Sequence, residues 1–125
     1  MSQLHLTATI LICVLLTTAG QIALKLGASS PVLVGFLDAG NYSAYASRAA
    51  VTPMILLGLL LYAMSTVLWL FILARADLSY AYPFVSMGFV LTAVYGHYAL
   101  QETLTMPRIA GIGLIVLGVI FVSRS

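Results

Sequence analysis

Long apolar stretches alternate along this chain with short polar breaks, and the stretches have the length of a bilayer crossing. A helix needs about 20 mostly apolar residues to cross roughly 30 Å of hydrocarbon. Four segments qualify: residues 4–27, 53–74, 78–101 and 105–123. The first contains His5, Cys13 and Lys25 as its only ionisable groups, and the second contains no charge. The third contains His97 alone, and the fourth has Arg108 near its start. The pattern predicts an all-α membrane protein, a single domain of four transmembrane helices.

The first segment is the marginal one. Each strongly apolar residue favours insertion by roughly 0.3–0.6 kcal/mol, whereas a Lys at the centre of a span opposes it by about 3 kcal/mol. Lys25 lies near the end, where its stem can reach the interface, so insertion wins. The stretch is too long for a signal-peptide core of roughly 7–15 residues, and no Lys or Arg precedes Lys25. It reads as a retained first helix.

The breaks differ in kind. Arg75-Ala76-Asp77 joins the second and third segments, and Glu102–Pro107 joins the third and fourth. Connections this short make neighbours antiparallel. Residues 29–52 are too polar to span and too apolar for a plain solvated loop. They predict a short interfacial helix, with Tyr42 and Tyr45 at headgroup depth.

Composition sharpens the class. Hydrophobic residues are 62% of 125 and charged residues 6%, whereas a soluble domain is roughly a quarter charged. The net charge of +2 is scattered, so nucleic-acid binding is excluded. Cys13 is the single cysteine and reads as a small apolar helix residue. Arg75 and Arg124 lie on one side against Lys25, Arg48 and Arg108 on the other, almost no positive-inside bias. Four helices also enclose little volume, and both facts favour a dimer.

Polar residues within spans are costly without a role. Cys13, Thr17, Gln21 and Lys25 recur every four residues along one helical face. Gln21 and Lys25 suit an anionic headgroup, or else a neighbouring helix and the membrane interface. Tyr62, Ser65, Thr66 and Trp69 share a face of the second helix. The third helix is the most polar, and Pro83 either bends it or marks its start. Gly111 and Gly118, two turns apart in the fourth helix, suit close helix association and are the expected dimer contact. No carboxylate lies within a span, and neither a metal-ligand cluster nor a catalytic set is present, so no metal, cofactor or enzymatic activity is expected.

The stretches Ala19-Gly-Gln-Ile-Ala-Leu-Lys25, Leu78-Ser-Tyr-Ala-Tyr-Pro83-Phe-Val-Ser86 and Glu102…Arg108-Ile-Ala-Gly111 through Gly118 resemble the drug/metabolite transporter superfamily. The four-helix length is similar to two of its branches. In the small multidrug resistance exporters a membrane glutamate stands where this chain has Thr17, which departs from proton-coupled drug export. The subunits that flip aminoarabinose linked to undecaprenyl phosphate have an Ala-Gly-Gln run and an Ala-Tyr-Pro without that glutamate, and the chain resembles them more closely. The long connection after the first helix is typical of neither branch.

The resemblance implies a flippase, or flippase subunit, for a polyprenyl-phosphate-linked sugar in a bacterial inner membrane, working as a homodimer or with a similar chain. Lys25 would pair with the phosphate while Gln21, Thr17, Tyr82 and Ser86 bond the headgroup. The alternative is a small exporter of cationic drugs or metabolites, holding its substrate against Tyr62, Trp69 and Tyr82.

Overall fold

The computed structural model describes residues 2–125 and contains seven helices among them, four of which supply the spans. The first, α1 (Gln3–Ala28), starts where the Ser2 hydroxyl accepts a hydrogen bond from the His5 amide at 3.3 Å. Two short helices come next, α2 (Pro31–Asp38) and α3 (Tyr42–Ala49). They lead into α4 (Pro53–Arg75), which opens on a proline whose absent N–H would be unpaired there in any case. The third span is divided into α5 (Leu78–Val85) and α6 (Met87–Ala99). The fourth, α7 (Met106–Ser123), has Pro107 in its first turn, and its Thr105 cap accepts from the Arg108 amide at 3.4 Å.

The connection expected to hold one short helix holds two, for a local reason. Gly40 adopts a left-handed φ of 71°, which ends the first and reverses the chain. Asn41 then caps α3, its side-chain oxygen accepting from the Ala44 amide and the Ser43 hydroxyl, each at 3.2 Å. The two helices pack on each other, with Leu33 fully buried.

In the third span Pro83 lies inside α5 and withholds an N–H from the Ser79 carbonyl. The regular helix is interrupted three residues later, at Ser86, whose amide and hydroxyl both donate to the Pro83 carbonyl.

Packing is unequal around the bundle. The most extensive interface is between α1 and α4, and its backbones nearly touch. A methyl group on Gly58 would fall 2.9 Å from the Gly20 carbonyl oxygen, and one on Gly27 would fall 3.0 Å from the Ile55 amide nitrogen. Small residues permit this approach, and dispersion along the seam replaces the hydrophobic drive that lipid does not provide. The Cys13 thiol adds a hydrogen bond to the Ser65 carbonyl across the same seam, at 3.3 Å.

The buried core lies in the half of the bundle nearer the start of α1, where Ile10, Cys13 and Val14 of α1 meet Ile72 of α4, Ala81 and Phe84 of α5 and Val119 of α7. That valine is the one buried residue of α7. The outer surface is apolar, with Leu15, Leu60, Phe71, Leu114 and Phe121 all more than half exposed. In water such a surface would aggregate; in lipid it is the ordinary solvent-facing side.

Candidate functional site

The stripe along α1 faces a cavity of about 830 Å³ between α1, α6 and α7. Thr17, Gln21 and Lys25 form one wall, with Tyr62 of α4 beside them; Gly88, Thr92, Tyr95 and Gly96 of α6 and Gly111, Ile112 and Ile115 of α7 form the others. The Gln21 amide donates to the Tyr62 hydroxyl at 2.8 Å, which ties the stripe to α4 and fixes the phenol. The Thr17 hydroxyl donates to the Cys13 carbonyl at 2.9 Å, leaving its oxygen free to accept a further bond.

Two ionisable groups join Lys25 here that the span pattern alone had left in a connection or at a helix start. Glu102 folds back so that its Oε1 lies 3.8 Å from the Lys25 Nζ, with the two side chains 47% and 56% exposed. A pair so open to solvent contributes at most about 1 kcal/mol. The backbone that carries the carboxylate is nonetheless fixed. Gln101 takes a left-handed φ of 58°, and the Glu102 amide then donates to the Gly96 carbonyl at 2.9 Å. His97 Nδ1 lies 3.0 Å from the Glu102 carbonyl; that oxygen can only accept, so Nδ1 carries the proton. The carboxylate rests on the bare backbone of Gly96, where a methyl group would fall 2.5 Å from Oε2.

Arg108 completes the charged rim. One guanidinium N–H donates to the Thr103 carbonyl at 2.9 Å. Lys25–Glu102 is the one ion pair among the described residues, so the remaining Arg108 donors stay available at the cavity wall. Chain direction was the signal for both residues. The first and third spans end, and the fourth begins, on one side of the bundle, so Lys25, Glu102 and Arg108 must meet there.

A second cavity, about 190 Å³, shares Thr17, Thr18, Tyr62, Val85 and Gly88 with the first and continues it toward the middle of the bundle. Trp69 and Tyr82 line it, ring edge to face at 6.2 Å. The expected substrate residues thus fall into two adjoining groups: Lys25 and Gln21 in the large cavity, Trp69 and Tyr82 in the small one, and Thr17 and Tyr62 in both. Ser86 lines neither, its hydroxyl being taken up by the Pro83 carbonyl. Gly111 borders the large cavity and Gly118 is exposed; the space a side chain would fill at either is open.

Known proteins place these features in context. The chain is 36% identical to the probable 4-amino-4-deoxy-L-arabinose-phosphoundecaprenol flippase subunit ArnF of Shewanella sediminis, over 94% of this chain and 91% of that protein. It is 31% identical to the probable subunit ArnE of the same description from Pseudomonas aeruginosa, over 94% and 96%. The ArnF protein of Erwinia tasmaniensis is 31% identical over 87% of each chain. No solved structure gives a significant match. The EamA-like transporter family model matches residues 6–124, nearly the whole of the four-span bundle, and the chain belongs to that family.

Proposed function

We propose that the chain is a flippase, or a subunit of one, that carries a polyprenyl-phosphate-linked sugar across a bacterial inner membrane. The observation that carries this reading is a lipid-bordered cavity with Lys25 and Arg108 on its rim and Gln21 and Tyr62 within it, inside otherwise apolar spans. Charged groups at such positions are retained for ligands or ion pathways. The relatives, named as flippase subunits, match over almost their full length.

In this reading Lys25 meets the phosphate while Gln21, Thr17 and Tyr62 bond the sugar, with Trp69 and Tyr82 further along the path and Ser86, expected to bond the headgroup, outside it. The polyprenyl tail stays in lipid. The thinly packed α7 presents Gly111 and Gly118 to a second four-helix chain, identical or similar, as the dimer contact.

The test is flipping of a labelled polyprenyl-phosphate sugar in liposomes that contain the purified chain. Wild type flips the lipid, and Lys25→Met loses flipping while its insertion and folding persist. Undiminished flipping by Lys25→Met overturns the phosphate clamp. Tight binding of an aromatic cation dye, with no flipping, would instead favour the exporter reading. The small aromatic cavity of about 190 Å³ lies below the roughly 300 Å³ at which drug-sized pockets begin.

A further inference from the structure

A third groove, of about 610 Å³, lies at the other end of the bundle, where Gln3, Arg75, Asp77, Ser79 and Tyr80 come together beneath the C-terminal turn of α7. Its chemistry repeats that of the Lys25 cavity. In both, a Gln amide of α1 donates to a Tyr hydroxyl: Gln21 to Tyr62 at 2.8 Å, and Gln3 to Tyr80 at 3.0 Å. Both place a cation and a carboxylate beside that pair: Lys25 with Glu102, and Arg75 with Asp77. Arg75 makes no ion pair among the described residues, and its guanidinium is free to grip an anion.

The spacing has meaning as well. Gln3 and Lys25 are 22 residues apart on one continuous helix, which at 1.5 Å per residue is about 33 Å. That is close to the roughly 30 Å hydrocarbon thickness of a bilayer. The two grooves therefore open at opposite leaflets, and the apolar core around Ile10, Phe84 and Val119 closes the way between them. Both border α7, whose outer face is apolar, so a lipid tail can remain outside while its headgroup occupies either one.

We propose that the Gln3–Arg75–Tyr80 groove is a second headgroup site, which binds the same sugar-phosphate group at the far leaflet that the Lys25 cavity binds at the near one. The proposal rests on the flippase reading. A carrier that only lowers the barrier to crossing must recognise its cargo on arrival as on departure, and the repeated donor and charge set meets that need at both ends.

The test uses membrane vesicles holding the full chain and a polyprenyl-phosphate sugar with a photoreactive group on the sugar. Cross-links are mapped by mass spectrometry. Wild type is expected to be labelled both around Lys25 and around Tyr80. Arg75→Gln should lower labelling at the Tyr80 end by about tenfold or more, the worth of one charge-assisted bond, and spare the Lys25 end. Arg124→Gln removes the same charge from the same end without lining the groove, and should leave both labels intact. Labelling confined to the Lys25 end in wild type overturns the second site and leaves the flippase reading standing. Equal loss in Arg75→Gln and Arg124→Gln also overturns it, since the effect is then one of overall charge or orientation. Labelling at neither end removes the flippase reading and this proposal with it.

Discussion

Glu102 takes its position from a residue with no side chain. Its carboxylate occupies the space a Cβ at Gly96 would fill, so Gly96→Ala must displace it, by about an ångström at the tip of a flexible side chain. The fold is expected to tolerate this, because the moving atoms are exposed and the helix gains up to about 1 kcal/mol in propensity. Flipping should fall while the unfolding temperature in detergent holds steady, a pairing that separates loss of the carboxylate's position from loss of structure. An undiminished flipping rate in Gly96→Ala would mean that the seat of Glu102 is immaterial. That Lys25 and Gln21 share one face, which the structure turns toward the cavity, was legible in the sequence, because a polar stripe on an apolar helix declares itself. Glu102 was not, because a left-handed turn at Gln101, a residue with no strong preference for that conformation, decides where the carboxylate lands.

Among the helices, the seam between α1 and α4 has the tightest tolerance. The Gly58→Ala methyl would press on a backbone oxygen of Gly20 and on Leu24, and a backbone in a packed seam has nowhere to move. Overpacking of this kind costs about 1–3 kcal/mol, more than the gain of roughly 1 kcal/mol in helix propensity. Gly58→Ala should therefore unfold at a lower temperature in detergent. Gly113→Ala, with open space around it, should unfold at the same temperature or slightly higher. The four spans were plain from apolar length alone. Which glycines lie in seams was not, since α7 carries the denser glycine pattern while the close approach within the chain belongs to Gly20, Gly27 and Gly58. The division of α2 from α3 and the interruption at Ser86 arise from single residues, Gly40 and Pro83, whose effect on a helix depends on the residues just after them.

For the whole molecule, the question of assembly reduces to α7. It buries one residue and leaves its glycines uncovered, so it is the helix with most surface to offer a second chain. Gly118→Leu is expected to block that approach while sparing the monomer fold, because no atom of the chain lies near the position of the added Cβ. Native mass spectrometry in detergent should then record the proposed dimer for wild type and monomer for Gly118→Leu; a dimer that survives the change moves the contact elsewhere.

The buried core has one more consequence, a mechanical one. It divides the bundle into a firm half, α1 with α4, and a looser half, α5 to α7. Among the described residues, each end is fastened across the division by one weak polar tie, Gln3–Tyr80 on one side and Lys25–Glu102 on the other. Measured along α1, Gln3 stands about 10 Å from Ile10 and Lys25 about 16 Å from Val14, so the core sits nearer the Gln3 end. A few degrees of rocking about that fulcrum would stretch either tie as it compressed its counterpart. With the longer arm on the Lys25 side, the same rocking moves the Lys25–Glu102 tie further than the Gln3–Tyr80 tie, so the cavity at the Lys25 end is the one that would open wider.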